Sequence, residues 1–340
     1  LPTASDARDW AAAGNLRGIG DSLYTPFSGK DGDDIDYAAY RALVRYCVGD
    51  LQHSMLWLTS GVGEWWSLTL AERKKLVEVA IEEARAVAPQ TVIQVCTNTS
   101  TAKDTVELTL HAQEHGADIC YIQTPPIEVH GGAGVLRFYQ YVADRTDIAL
   151  GIFNSPSSGY VLTPAEVAEL YRQVPAVVAI KEGNLEHWRS RAIHALVPDL
   201  IVWECDLLVY RAGWLQQGIV GPAQLGTTGY LNETPEHRWL HEYWSRIWAG
   251  EIKEAIAYAA ECGLDTLGAG MAAALTKYPQ RPDYFTHWGE SFRYAASVLG
   301  LPMGDYPHSR PPQAIVPDYI KDQIRTAYEK SGLVKVSALA

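Results

Sequence analysis

Phenylalanine is scarce in this 340-residue chain, with five against eleven Trp and nineteen Tyr. Its aromatic bulk therefore carries N–H and O–H groups that want partners once buried. Cysteine is sparse too. The five (Cys47, Cys96, Cys120, Cys205 and Cys262) show no C-x-x-C spacing, and four fall in or beside apolar runs. That excludes a disulfide framework and points to reduced, buried thiols of a cytoplasmic protein. No apolar run reaches the roughly 20 residues a membrane-spanning helix needs, so no membrane partner is expected. The opening stretch LPTASDARDW lacks the pattern of a signal peptide. Basic charge is short as well: 28 Lys and Arg against 40 Asp and Glu leave a net charge of −12. No basic stripe exists, which excludes nucleic acid as an expected partner. H-E-x-x-H and similar zinc spacings are absent, and no metal is expected. Internal repeats and low-complexity segments are lacking.

What is present is an apolar fraction of 47%, enough for a large core. Short apolar runs alternate with longer amphipathic stretches. The runs are GIGDSLY (18–24), SMLWLTS (54–60), TVIQVCT (91–97), DICYIQT (118–124), IALGIFN (148–154), AVVAIK (176–181), LIVWEC (200–205) and GIVGPA (218–223). Helical patterns fall near 37–48, 69–87, 101–115, 133–144, 164–173, 184–196 and 206–217. Thr69 stands three residues before Glu72, a capping-box spacing. Thr163, Pro164 and Glu166 mark another helix start. Eight strand–helix units in about 230 residues predict an α/β fold, a closed (β/α)8 TIM barrel. A doubly wound sheet is the alternative, but it wants a glycine-rich turn after the first strand, where DSLYTPF stands. After residue 235 only helical patterns remain, near 235–262, 285–299 and 316–331. The expected division is a catalytic barrel over residues 1–234 and a C-terminal helical region over 235–340, which includes the last barrel helix.

In such a barrel the chemistry sits where strands end. The ends carry Ser22 to Tyr24, Thr59 and Ser60, Thr97 and Asn98, Gln123 and Thr124, Phe153 to Pro156, Lys181, Glu204 and Asp206, and Gly221 to Ala223. Lys181 is the one Lys among them. Four apolar residues, Val177 to Ile180, lead directly into it. Burying an ammonium costs several kcal/mol unless it is paired or neutralised. Either Lys181 pairs with Glu182 or Glu204, or it serves as a nucleophilic amine toward a ketone.

AIKEGN resembles the lysine strand of the pyruvate-dependent class I lyases, the dihydrodipicolinate synthase/N-acetylneuraminate lyase superfamily. Four more stretches resemble that family in order: LYTPF followed by DIDYAAYRALV, SGVGEWWSLTLAER (the G-x-x-G-E segment), GIFNSPSSG (the Y-N-x-P segment), and ASVLGLPMG with RPP after it. The resemblance covers nearly the whole chain. It implies a barrel with a C-terminal helical domain, a homo-oligomer (tetramer or dimer), Lys181 as the Schiff-base lysine, and the N–H groups of Gly61 and Val62 as holders of a pyruvate carboxylate. A strand-to-helix turn that offers N–H groups suits an anion on physical grounds too. Glu64 is expected to be structural, at a helix start.

The departures are informative. Phe153 replaces the family's Tyr, Gly61 its hydroxyl residue, and Pro126 and Ile127 stand where many members have a Tyr after Thr-Pro. The Tyr-Thr-Tyr proton relay is thus missing at all three places. Ser158 stands where an Arg grips the second substrate of the lysine-biosynthesis enzyme, so that activity is not expected. Glu128 and His130, in IEVHGG, are candidate general acids or bases. The alternative for both is a solvated loop. Tyr160, Ser60 and Ser155 are candidate hydroxyls, with Tyr160 the first choice. Asn154 and Ala223 are further candidate lining residues. Trp65 and Trp66 offer an apolar wall to an aldehyde, or else pack at an interface or under the next helix.

The resemblance therefore implies a lyase, aldolase or hydratase-aldolase, acting on a small-molecule 2-oxo acid to give pyruvate and an apolar or aromatic aldehyde. It implies no cofactor beyond the covalent Schiff base. A dehydratase of the same superfamily and a non-catalytic 2-oxo acid sensor are the alternatives. Retention of Lys181 argues against the sensor, which needs no amine.

Overall fold

A computed structural model describes residues 1–125, 131–183, 187–204, 228–275 and 288–334. Seven parallel strands form one sheet: β1 (Gly20–Ser22), β4 (Met55–Leu58), β5 (Val92–Cys96), β6 (Ile119–Gln123), β7 (Ala149–Asn154), β8 (Val177–Glu182) and β9 (Ile201–Glu204). A small antiparallel pair, β2 (Phe27–Ser28) and β3 (Asp34–Ile35), lies apart. The seven strands follow one another across the sheet in chain order. Right-handed crossovers wound in one sense put every helix on one face. The other face is then buried by curling the sheet on itself. A doubly wound sheet would reverse its order instead.

Side-chain alternation shows both faces buried. Leu56, Leu58, Ile93, Val95, Ile122, Leu150, Ile152 and Ile180 join the apolar layer under the helices. Trp57, Cys96, Ile119, Tyr121, Ala149, Phe153, Ala179 and Trp203 form a separate inner cluster. Strands with two buried faces read as nearly continuous apolar runs, which is what made them visible in the sequence.

The inner cluster is aromatic. Trp57 meets Trp203 at 5.0 Å, Phe153 at 5.1 Å and Tyr121 at 5.7 Å between ring centroids, all edge-to-face. The Trp203 indole N–H donates to the Tyr121 hydroxyl at 2.9 Å. Gly151 makes this possible, since a Cβ there would sit 2.4 Å from the Tyr121 ring. A short helix, α1 (Ala7–Ala12), adds Ala7 and Ala11 to the cluster. The Ala4 N–H bonds Asp147, just before β7, and Arg8 bonds the Tyr171 carbonyl, ahead of β8. That segment therefore lies at the N-terminal ends of these strands. Six residues are too few for a readable periodicity, so α1 was not expected.

The crossover helices are α2 (Tyr37–Arg45), α3 (Leu70–Val87), α4 (Ala102–His115), α5 (Gly131–Ala143), α6 (Pro164–Gln173) and α7 (His187–Leu196). The capping boxes at Thr69 and Thr163 both form. The helix expected over 37–48 ends at Arg45 and continues as a wider π turn, Tyr46–Asp50. The expected strand at 218–223 and helix at 206–217 lie outside the described residues.

Helices follow in the C-terminal part: α8 (Trp239–Trp248), α9 (Ile252–Cys262), α10 (Leu264–Leu275), α11 (Trp288–Val298) and α12 (Asp318–Ser331). The stretch expected as one helix over 235–262 is broken near Gly250, which takes φ +82°. Helix α10 was not expected. Its sequence, LDTLGAGMAAAL, carries a small-residue face instead of a large apolar stripe, and Gly270 lies directly against Ala327 of α12. This part is tied to the sheet by buried polar bonds. Arg293 of α11 and Ser309 both reach Glu64, at 2.6 and 2.9 Å, and the Tyr24 hydroxyl donates to the Pro302 carbonyl at 2.6 Å. Among the described residues, no helix is long and apolar enough to cross a membrane.

Candidate active site

Lys181 lies on β8 with 5% of its surface exposed. Its Nζ stands 4.2 Å from the Phe153 ring centroid and 5.2 Å from that of Trp57. The partnership with Glu182 weighed above does not form. Glu182 points to the other face of the strand, where Asn154 Nδ2 donates to it at 2.9 Å and Arg189 lies 3.5 Å away. Among the side chains described, no carboxylate pairs with Lys181; the side chain of Glu204, the other partner weighed, lies outside them. Its charge meets only π faces there, a modest compensation for burial.

The turn after β4 is shaped by two non-glycine residues in the left-handed region, Thr59 (φ +49°) and Glu64 (φ +58°). Thr59 Oγ1 donates to the Cys96 carbonyl at 2.8 Å, and Thr25 Oγ1 donates to the Gly63 carbonyl at 2.8 Å. The Ser22 and Ser60 hydroxyls bond each other. Gly63 is required by close approach, because a Cβ would lie 3.0 Å from the Leu23 carbonyl oxygen. The N–H groups of Ser60, Gly61, Val62 and Gly63 have no acceptor among the described residues. Ser60 and Val62 are nevertheless buried. Unpaired buried amides are costly, and a row of them is a ready anion site. Beneath lies Arg73, buried, bonding the Cys96 and Asn98 carbonyls at 2.6 and 2.7 Å. Burial pulls its pKa down to about 10, still cationic at neutral pH.

Glu64 is indeed structural in its contacts, since its Oε1 accepts from Arg293 and Ser309. Trp65 and Trp66 meet edge-to-face at 6.2 Å. Trp66 is 42% exposed, and its ring passes 3.9 Å from where a Gly61 Cβ would stand. Trp65 lies over Arg73, 5.6 Å from ring centroid to guanidinium.

Along the strand ends runs a polar chain. Asn98 Nδ2 donates to Gln123 Oε1 at 3.4 Å, Gln123 Nε2 to Ser157 Oγ at 2.8 Å, and the Ser157 and Ser155 hydroxyls meet at 3.0 Å. Ser155 and the amine both flank Gly183: Ser155 Cβ and Lys181 Nζ each lie 3.5 Å from the point a Gly183 Cβ would occupy. The structure thus brings Lys181, Phe153 and Ser155 together. It uses Asn154 otherwise, to hold Leu162 through 2.9 and 3.1 Å backbone bonds. Tyr160 donates its hydroxyl to Glu166 Oε1 at 2.5 Å, at the start of α6, and packs against the helix-side core. Glu128, His130 and Ala223 lie outside the described residues. The strand ends as read from the sequence include Ser22 but neither Trp57 nor Ser157. Trp57 was legible in principle, as the inward position of β4 two residues before Thr59.

The sequence pattern of the Dihydrodipicolinate synthetase family matches residues 15–222. The chain belongs to this family. A 4-hydroxy-tetrahydrodipicolinate synthase of Fervidobacterium nodosum is 32% identical over 180 residues, 53% of this chain and 59% of that protein. The chain thus spans less than two thirds of the first curated relatives it matches. An uncharacterized DapA-like lyase of Thermococcus onnurineus is 26% identical over 317 residues, 91% of this chain and 97% of its own. Among solved structures, YagE of E. coli K12, a prophage protein in complex with pyruvate, aligns with TM-score 0.78 at 21% identity, covering 94% of this chain and 99% of that one. CdNal of Clostridium difficile, in complex with mannosamine, aligns with TM-score 0.75 at 16% identity, covering 93% and 99%. As a dihydrodipicolinate synthetase family member the chain has the expected fold, a (β/α)8 barrel with a C-terminal helical domain.

Proposed function

We propose that this chain is a Schiff-base-forming lyase that cleaves or forms a 2-oxo acid, with pyruvate and an apolar or aromatic aldehyde as the other side of the reaction. The observation that carries this reading is Lys181, buried at a strand end against Trp57 and Phe153, with no carboxylate paired to it among the side chains described. Family membership and the unpaired amides of residues 60–63 support it.

The neutral amine adds to the C2 carbonyl, and loss of water leaves an iminium. The C3–C4 electron pair then flows into the iminium while the 4-hydroxyl gives up its proton. This releases the aldehyde and leaves an enamine. Protonation at C3 and hydrolysis return pyruvate and the free amine. The turn over Gly61 and Val62 holds the carboxylate. No cofactor is required by this scheme. For the missing relay we assign proton transfer to the Ser155–Ser157 hydroxyls, water, or Glu128 and His130; Tyr160 is a weaker choice because its hydroxyl is already donated to Glu166. Trp66, exposed beside Gly61, favours an aromatic aldehyde. The barrel (1–234) as catalytic unit, a homo-oligomeric state and a cytoplasmic location belong to the same proposal.

The test is borohydride reduction in the presence of pyruvate, with the adduct mapped by peptide mass. It is expected on Lys181, and an adduct on another lysine, or none, overturns the mechanism. Release of pyruvate from a panel of 4-hydroxy-2-oxo acids and arylidenepyruvates then defines the substrate. Adduct formation without turnover of any member would speak for a sensor.

A further inference from the structure

We infer that the outer face of the barrel carries a binding site for a divalent cation of the zinc class, formed by His111 and His115 of α4 and Glu78 of α3. The two histidines are one helical turn apart, the i, i+4 spacing that places two imidazoles side by side. Their ring centroids are 4.1 Å apart. Glu78, from the neighbouring helix, brings Oε1 to 3.5 Å from His111 Nε2. One ligand atom from each of the three residues falls within 4.8 Å of the others. A tetrahedral zinc ion with bonds near 2.0–2.1 Å needs its ligand atoms about 3.3 Å apart. The His111–Glu78 edge already fits, and rotation of the exposed His115 side chain closes the rest.

The surroundings prepare the donors. His115 Nδ1–H donates to the His111 backbone carbonyl at 2.8 Å, which fixes its tautomer and leaves the Nε2 lone pair free. Lys75 holds Glu78 Oε2 at 2.9 Å and leaves Oε1 to the ion. Lys74 Nζ is turned aside onto Glu107. Among the described residues, the contact of His111 Nε2 with the Lys74 carbonyl at 3.3 Å is the bond the ion must displace. Two imidazoles and one carboxylate, with water completing the shell, select zinc, nickel or copper over magnesium and calcium. Because the ligands come from two helices, the ion pins α3 to α4 and binds the folded chain alone.

The experiment uses the full chain without a polyhistidine tag, stripped by chelator and titrated with Zn2+ by calorimetry. One equivalent is expected to bind, raising the thermal midpoint, and chelator reverses the rise while Mg2+ gives none. His115→Ala is expected to weaken binding at least about tenfold and to leave lyase turnover unchanged. Co2+ should show tetrahedral visible absorption that the same variant loses. Absence of saturable Zn2+ binding overturns the inference. So does binding that survives unchanged in both His115→Ala and Glu78→Gln, which would place the ion elsewhere.

Discussion

His53 is the most informative residue to perturb for stability. It is fully buried between two carboxylates, with Nδ1 2.5 Å from Asp21 Oδ2 and Nε2 2.8 Å from Glu233 Oε1. A neutral imidazole has a single N–H and cannot donate to both, so the geometry calls for the imidazolium. Burial pulls its pKa down, but Asp21 and Glu233 outweigh that and raise it to about 9. Burial pushes Glu233 up, and bonds from His241 and His53 hold it instead at about 2. The remaining polar groups around the cluster are consistent with this. Arg238 donates to His241 Nε2 at 2.8 Å, His241 Nδ1–H donates to Glu233 at 2.7 Å, and the Tyr230 N–H donates to Asp21 at 2.9 Å.

The magnitude follows from linkage. A histidine whose folded pKa lies above its unfolded value of 6.5 stabilises the fold fully below pH 6.5 and loses that contribution as pH rises through about 9. The gap is worth roughly 3 kcal/mol. Glu233 has the opposite sense, its contribution present above pH 4.5 and lost as pH falls toward about 2. The cluster is therefore fully effective between those limits, from 4.5 to 6.5. The assay is urea unfolding of the native chain and His53→Gln across pH 6 to 9, comparing the two at each pH. The native chain's advantage should shrink by roughly 3 kcal/mol from mildly acidic to alkaline conditions. An advantage that is constant, or grows with pH, refutes the imidazolium.

Two further outcomes are expected. Arg293→Met strands the buried Glu64 carboxylate and should cost about 3–5 kcal/mol, whereas Glu64→Gln with Arg293→Met removes both charges and should recover at least half of it; a double variant no more stable than the single one, by thermal melting, contradicts the pairing. Phe153→Tyr places a hydroxyl near the Lys181 amine, whose Nζ sits 4.2 Å from that ring centroid. It should keep the borohydride adduct and at least native kcat, and loss of the adduct would show that the ring position does not tolerate a polar edge.

Strand positions were legible because both faces of the sheet are buried, so each run stood out without any periodicity analysis. Lys181 was legible for the same reason, as a charge ending such a run. The roles of Asn154 and Tyr160 were not. Asn154 looks like a lining residue from its place after Phe153, but its amide is consumed by Leu162 and Glu182. Tyr160 looks like a replacement hydroxyl, but Glu166, fixed by the capping box at Thr163, lies within its reach. Local helix-start chemistry competes for polar groups that a reading of strand ends assigns to the pocket. The Glu78–His111–His115 cluster was hidden for another reason. Two of its members are adjacent on one helix, but the third comes from a helix more than thirty residues earlier, and only packing brings it in.

The bias toward Tyr over Phe also finds its cause in the packing. Tyr24, Tyr139, Tyr230 and Tyr328 are fully buried, and each donates its hydroxyl to a backbone carbonyl distant in sequence: Pro302, Ile122, Ser22 and Leu231. A Phe at any of them would fill nearly the same volume but leave a buried carbonyl unpaired, at a cost of about 1–3 kcal/mol. Three of these bonds join the sheet, or the turn at Leu231, to the C-terminal segments or to one another. Tyr230 bonds the carbonyl of Ser22 while the Ser22 hydroxyl bonds Ser60 in the amide-rich turn. Tyrosine thus holds the strand end on which the candidate carboxylate site depends, a task for which an apolar ring of the same size has no donor.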